Sequence, residues 1–81
     1  MNEQDARAAV LDAINEVAPD VDTEGLDASS RLRQDLELDS LDFLRLLEVL
    51  AQSTGVSTPE DDYADLITVQ RLVDYFAARA G

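Results

Sequence analysis

The sequence predicts an all-α fold, a four-helix bundle with a long first loop and a short third helix. Apolar residues recur at spacings of three and four in three separate stretches, which is the period of one helix face. Recognisable start signals stand before the later stretches. The chain has 81 residues, of which 46% are hydrophobic, so we expect one domain, residues 1–81, around a single core.

The first predicted helix runs from about Glu3 to Ala18. Its apolar stripe follows a spacing of four, then four, then three, with one alanine beside it. Pro19 closes the helix, because the residue before a proline is pushed out of helical geometry. The stripe consists of Ala6, Val10, Ala13, Ile14 and Val17.

A long connection, residues 20–37, separates the first two helices, and three leucines are expected to pin it to the core. These are Leu26, Leu32 and Leu36. The segment 20–25 resembles the start of a calcium loop, with oxygen ligands and a glycine at the expected positions. Position 12 of such a loop needs a glutamate and is Arg31 here, so we predict no metal site.

The second helix is predicted from Ser40 to about Ser53, with Gly55 ending it. Asp39 suits the N-cap, and Asp42 lies three residues on, where a carboxylate reaches back to the cap's amide in a capping box. Ser40 then becomes the first helical residue. Its hydroxyl is expected to be exposed beside unpaired N–H groups at the positive end of the helix dipole, where a phosphate is favoured.

The second helix is apolar over more than one stripe, which indicates a central position in the core or an additional binding face. A short third helix, from Pro59 to Ala64, is predicted with Thr58 as its cap and Pro59 at its first position. Thr68 is expected to cap the last helix, which runs from Val69 to about Arg79. Ile67 and Leu72 have the spacing of a hydrophobic staple. The predicted buried stripe of this helix is Val69, Leu72, Val73, Phe76 and Ala80.

The charge balance restricts the function. Eighteen acidic residues stand against six arginines, giving a net charge of −12, so nucleic acid and anionic membranes are not expected as partners. Proteins with basic docking patches are expected instead. The chain has no histidine and no cysteine, so it lacks the usual proton shuttle and the easiest nucleophile, and we predict that it is not an enzyme. An acidic N-terminus and no apolar run of about 18 residues lead us to expect a cytoplasmic monomer without membrane insertion.

The run Asp35–Asp42 resembles the phosphopantetheine attachment motif of the acyl carrier proteins. Further similarities lie at Gly55–Val56, Pro59–Tyr63, Ile67–Gln70 and Leu72–Tyr75, so the resemblance covers nearly the whole chain, at the length of a free-standing carrier. It implies the four-helix fold of that family. It also implies that a phosphopantetheinyl transferase moves 4′-phosphopantetheine from coenzyme A onto Ser40, with Asp39 and Leu41 flanking the attachment site.

The imported arm ends in a thiol that carries acyl groups as thioesters, which is consistent with a chain that has no cysteine of its own. Partners implied by the resemblance are acyl-activating, ketosynthase or acyltransferase enzymes. We expect partner or cargo contact along the start of the second helix and just before it. The predicted contact residues are Glu37, Asp42, Phe43, Leu44, Arg45 and Glu48, with Leu47 also expected to touch the cargo.

The second helix departs from that of typical fatty-acid carriers, which is lined with glutamates and ends in an acidic cluster before a phenylalanine. Arg45 stands where an acid is common, Glu48 where an apolar residue is common, and Ala51–Thr54 replaces the cluster. We therefore favour a carrier from a specialised fatty-acid or polyketide-type pathway. Two alternatives stay open: an aminoacyl or aryl (peptidyl-type) carrier loaded by an adenylating enzyme, and a non-covalent acidic adaptor of the same fold.

Overall fold

The computed structural model describes residues 1–80 and confirms the all-α class. In this range the chain forms three α-helices and two 3₁₀ helices. The α-helices are α1 (Glu3–Val17), α2 (Ser40–Thr54) and α3 (Val69–Arg79), and the 3₁₀ helices are Thr23–Gly25 and Glu60–Asp65. No helix within residues 1–80 has both the length and the apolar character needed to cross a bilayer.

The core lies between α1, α2 and α3, and α1 packs against both of the other two helices. Each helix contributes the residues at helical spacing that face its neighbours, and the loop before α2 adds three leucines. The largest side chains that are fully buried are Phe76, Ile14, Leu32, Leu46, Leu50 and Leu72. Burial of this apolar surface is the main force that stabilises the bundle.

The bounds of α1 agree with the predicted bounds, apart from one residue at the C-terminal end. The helix ends at Val17, with Ala18 as its C-cap, rather than at Ala18. Its N-cap, which we did not predict, is Asn2, whose side chain accepts a hydrogen bond from the Asp5 backbone N–H at 2.7 Å. Asparagine is among the preferred N-cap residues because its side-chain oxygen satisfies an unpaired helical N–H.

The loop before α2 is pinned as predicted at Leu32 and Leu36, which are buried, while Leu26 is half-buried against the core. Its backbone also pairs with the segment leading into α3, which the sequence analysis did not predict. The Leu32 N–H donates to the Ile67 carbonyl at 2.9 Å, and the Val69 N–H donates to the Ser30 carbonyl at 3.0 Å. These bonds place the second half of the loop beside the start of α3.

The third helix is short, as predicted, but it is a 3₁₀ helix over Glu60–Asp65, and the predicted cap is wrong. Pro59 keeps an extended conformation with ψ 147°, so it precedes the helix and is not its first residue. Pro59 takes the N-cap position instead of Thr58, and no side-chain hydrogen bond within residues 1–80 caps this helix. The Thr58 hydroxyl is buried and has no hydrogen-bond partner among the described residues.

The last helix begins and ends as predicted, and Thr68 caps it by accepting a hydrogen bond from the Arg71 N–H at 3.2 Å. Its predicted stripe is buried, and Tyr75 is buried in addition. Ile67, however, is 56% exposed, so most of its surface faces solvent and does not pack against Leu72 as the predicted hydrophobic staple requires. This exposed isoleucine contributes to the site described next.

Candidate functional site

Ser40 occupies the first residue of α2 with an exposed side chain. Asp39 has extended backbone angles and acts as the N-cap, since its Oδ1 accepts a hydrogen bond from the Asp42 N–H at 2.8 Å. The first intrahelical bond runs from the Phe43 N–H to the Asp39 carbonyl at 2.9 Å. The N–H groups of the first turn that precede this bond have no intrahelical acceptor, so the positive end of the helix lies beside the Ser40 hydroxyl.

The predicted capping box is only half formed. The Asp39 side chain caps the helix, but within the described residues the Asp42 carboxylate makes no return bond to the Asp39 N–H. Aspartate is one methylene shorter than the glutamate of the common motif, which explains the missing half. The Asp42 carboxylate is therefore not engaged by the cap.

Arg33 contacts Ser40 directly, a contact that the sequence analysis missed. Its Nη2 donates a hydrogen bond to Ser40 Oγ at 2.8 Å, across seven positions of sequence. The contact arises because the loop turns back on itself before α2, with the Leu38 N–H donating to the Leu32 carbonyl at 3.2 Å. The two buried leucines on either side of Arg33 were the available signal, since they fix the backbone while the charged side chain between them points to solvent.

The loop next to Arg33 is fastened by an ion pair. The Asp35 carboxylate accepts hydrogen bonds from the Arg31 backbone N–H at 2.7 Å and from Arg31 Nε at 3.3 Å. The backbone hydrogen bond first, and then the Arg31 side chain, lower the pKa of Asp35 below its usual 3.8. In residues 1–80 this is the one arginine–carboxylate pair within 4.0 Å.

Glu37 has a left-handed backbone with φ 59°, the one non-glycine residue of the described chain with positive φ. A side chain in this region is strained because its Cβ lies close to the following carbonyl oxygen. Glu37 lies three residues before Ser40, at the turn that leads the loop into α2. It was predicted as a partner contact, and the structure gives it a clear backbone role in addition.

An open groove of about 680 Å³ begins at Ser40 and runs between α2 and the second 3₁₀ helix. Its apolar lining includes two aromatic rings, Phe43 and Tyr63, that meet edge to face with centroids 5.6 Å apart. The polar lining includes Arg33 and Glu60. The remaining lining residues are Gln34, Leu44, Ala64, Leu66 and Ile67.

The predicted site residues separate into three groups. Ser40, Phe43 and Leu44 line the groove. Glu37 and Asp42 line a second depression of about 710 Å³ between the first loop and the end of α1. The others are exposed outside both depressions: Asp39 at the N-cap, and Leu41, Arg45 and Glu48 on α2.

The leucines of α2 differ in exposure. Leu47, which was expected to touch the cargo, is 5% exposed and belongs to the core, as Leu46 and Leu50 do. Leu41 and Leu44 are instead 72% and 46% exposed. The buried face of a straight helix repeats every three to four residues, so the three-residue spacing of Leu41, Leu44 and Leu47 rotates gradually from solvent into the core.

The far wall of the groove is attached to α3 through a tyrosine. The Tyr75 hydroxyl donates a hydrogen bond to Asp62 Oδ2 at 2.8 Å, and the Arg79 guanidinium lies 3.8 Å above the Tyr75 ring. Burial, followed by the hydrogen bond to Asp62, raises the pKa of Tyr75 above its usual 10.0. The phenol therefore stays protonated and keeps donating throughout the neutral range.

Comparisons with known proteins identify the family that this chain resembles. The family described as "Phosphopantetheine attachment site" matches residues 8–76, a range that includes Ser40 and all of α2. An acyl carrier protein of Rubrobacter xylanophilus is 33% identical over 72 residues, which is 85% of this chain and 89% of that protein. An acyl carrier protein of Acidothermus cellulolyticus is 29% identical over 77 residues, which is 95% of this chain and 90% of that protein.

Proposed function

The chain belongs to the acyl carrier protein family, which bears covalent 4′-phosphopantetheine, and we propose that Ser40 is the residue to which this group is attached. One observation carries the proposal. Ser40 combines an exposed hydroxyl, a position on the first residue of a capped helix, and a place at the start of an apolar groove. The protein is a carrier without catalytic residues of its own, as its relatives are.

The residues around Ser40 fit the cofactor. The Asp39 carboxylate is turned towards the Asp42 N–H of its own helix, which leaves the Ser40 hydroxyl accessible to a transferase. Arg33 places a positive charge at the oxygen where the phosphate is attached. When bound, the group supplies a thiol that carries cargo as a thioester, and the groove beside Ser40 offers this arm an apolar surface.

The attachment test compares three proteins by intact mass after incubation with coenzyme A and a broad-specificity transferase. The unmodified sequence is expected to gain the mass of one phosphopantetheine group, and Ser40→Ala is expected to gain none. Ser57→Ala is the matched control, because Ser57 is exposed like Ser40 but does not line the groove. Equal added mass on Ser40→Ala and on the control would show that another residue is modified.

The proposed pathway is a specialised one for acyl cargo, of the fatty-acid or polyketide type. Support comes from the exposed face of α2, where Leu41 and Leu44 offer apolar surface and Arg45 places a positive charge beside them. Within residues 1–80 no carboxylate lies within 4.0 Å of Arg45. An unneutralised cation on this face discriminates against partners with a strongly basic docking surface.

Partner choice is tested with a housekeeping fatty-acid ketosynthase offered the loaded carrier. We expect poor turnover of the unmodified sequence and an increase with Arg45→Glu, because the repulsive charge becomes attractive to a basic surface. Arg71→Glu, an equal charge change on the exposed side of α3, is the control and is expected to have little effect. Efficient turnover before mutation would contradict the specialised pathway.

The class of cargo is tested by offering the loaded protein to acyl-activating and to adenylating enzymes in parallel. We expect thioester formation with an acyl group. Loading only with an aminoacyl or aryl group would identify a peptidyl-type carrier instead. No added mass with any transferase would favour the non-covalent adaptor.

A further inference from the structure

We infer that Arg33 is the binding residue for the phosphodiester anion at Ser40, pairing its guanidinium with the phosphate oxygens once the arm is attached. This inference rests on the proposed attachment at Ser40 and adds a second residue to the site. The starting observation is the hydrogen bond of 2.8 Å from Arg33 Nη2 to Ser40 Oγ, the oxygen that becomes part of the phosphodiester.

The donor capacity of Arg33 exceeds what Ser40 uses. A guanidinium has five N–H donors in a planar fork that matches the spacing of phosphate oxygens. The Ser40 hydroxyl accepts one of them, and within residues 1–80 Arg33 makes no other hydrogen bond. A phosphate attached to Oγ therefore places its free oxygens beside unused donors, where charge-assisted hydrogen bonds form.

The positive charge of Arg33 is also unpaired, as is that of every arginine of residues 1–80 except Arg31, and what sets Arg33 apart is that its guanidinium lies at Ser40 Oγ. Eighteen carboxylates are available to six arginines, yet in the described part of the chain no carboxylate oxygen lies within 4.0 Å of the Arg33 guanidinium. Its neighbour Arg31 shows the opposite arrangement, with its side chain and backbone both bound to Asp35. The loop thus uses one arginine for its own structure and leaves the other for an anion.

The backbone around Arg33 is fixed, although its side chain is exposed. Leu32 before it is fully buried, and Leu36 after it is 7% exposed. The Arg31 carbonyl accepts hydrogen bonds from the Asp35 N–H at 2.9 Å and from the Leu36 N–H at 3.1 Å. A site whose supporting backbone is already ordered loses less entropy when it binds a ligand.

The negative charges around Ser40 oppose an added phosphate, and Arg33 is placed to offset this repulsion. A phosphodiester at Ser40 adds a negative charge to a chain with a net charge of −12, next to Asp39 and Asp42 and in a groove that Glu60 also lines. Like charges that lie close together repel, which destabilises the loaded protein. Arg33 is the arginine in the lining of this groove, so its guanidinium offsets the added charge where that charge is introduced.

The test compares the loaded forms of the unmodified sequence, Arg33→Gln and Arg71→Gln. Arg71→Gln removes the same charge from an exposed position on α3. Intact mass is measured first: failure of the unmodified sequence to gain phosphopantetheine would contradict attachment, whereas gain by all three proteins isolates the role of Arg33. Because Arg33 is exposed, Arg33→Gln is expected to fold, and circular dichroism checks this.

The readouts are the ³¹P resonance of the phosphodiester and the side-chain N–H resonances of Arg33. We expect loading to slow exchange of the Arg33 guanidinium protons with water several-fold. The ³¹P resonance of Arg33→Gln is expected to move to the position seen in the urea-unfolded protein, and that of Arg71→Gln to stay with the unmodified sequence. A ³¹P resonance that is identical in all three folded proteins, or Arg33 protons insensitive to loading, would overturn the inference.

Discussion

The two walls of the groove beside Ser40 differ in how they are fastened to the core. On one side, α2 buries Leu46, Leu47 and Leu50 and packs against α1. On the other side, the 3₁₀ helix Glu60–Asp65 contains no buried residue. Its Tyr63 is half-buried against the core and meets Phe43 of α2, and its Asp62 accepts the hydrogen bond from Tyr75, so its local stability is expected to be lower than that of α2.

This difference suggests a division of roles. The wall that bears Ser40 is held by the core, so the attachment oxygen keeps a constant position for the transferase. We expect the opposite wall to move more readily than α2, although Tyr63 packs against the core, so that the groove adjusts its width to the cargo. Four experiments test this comparison, beginning with the one expected to have the largest effect.

Substitution within the fixed wall should cost the most stability. Leu50→Ala, at a fully buried position, is expected to lower the free energy of unfolding by about 2–5 kcal/mol, through lost burial and the cavity left behind. Leu44→Ala, on the exposed part of the same helix, is expected to change it by less than about 0.5 kcal/mol. Urea denaturation measures both. Similar losses for the two variants would contradict the assignment of α2 as a wall with one buried face.

The movable wall is tested with Tyr75→Phe, which removes the hydrogen bond to Asp62 but keeps the ring. We expect a loss of about 1 kcal/mol and faster hydrogen exchange at the amides of residues 60–65, with α1 little affected. Because the folded-state pKa of Tyr75 is raised, the stabilisation by its neutral phenol is complete below pH 10.0 and is lost as pH rises through the folded pKa. Exchange that increases equally in α1 would argue against a separately attached wall.

The turn that leads the loop into α2, the fixed wall, is tested at Glu37, whose backbone is left-handed. Glu37→Gly should be more stable than Glu37→Ala by about 0.5–1 kcal/mol, since relief of strain exceeds the entropy that glycine adds to the unfolded chain. Both variants remove the same charge, so their difference isolates the backbone. Urea midpoints in the reverse order would show that φ 59° is not strained at this position.

The smallest effect is expected at the exposed ion pair that fastens the loop. The folded-state pKa of Asp35 is lowered, so its contribution to stability is complete above pH 3.8 and is lost as pH falls through the folded pKa. Asp35→Asn should therefore be slightly less stable than the unmodified chain at neutral pH and equal to it well below pH 3.8. Asp65→Asn serves as the exposed control. A stability gap that stays constant with pH would exclude the ion pair as its cause.

The sequence predicted those features that local patterns determine. The limits of α1 and α3, the cap at Asp39 and the position of Ser40 follow from apolar spacing and cap residues, which act within a few positions of the chain. The glycine end of α2 also agreed, with Gly55 in the left-handed conformation at φ 77°.

The features that the sequence did not predict depend on contacts between distant segments. Arg33 meets Ser40 because the loop turns back on itself through the bond from the Leu38 N–H to the Leu32 carbonyl, while backbone bonds between residues 28–32 and 67–70 hold that loop against the start of α3. No short motif encodes these pairings. Glutamate has no preference for left-handed backbone, so Glu37 gave no local signal. The Thr58–Pro59 pattern was misleading because proline suits both the first turn of a helix and the extended residue before it.

The central claim, that Ser40 bears the cofactor and its cargo, is tested most directly on protein isolated from its native host. Proteolysis followed by tandem mass spectrometry locates the modification and identifies the acyl group in one measurement. We predict phosphopantetheine on Ser40, with an acyl group joined to its thiol as a thioester. An unmodified Ser40 peptide, with the cofactor found on another serine or absent, would contradict the account.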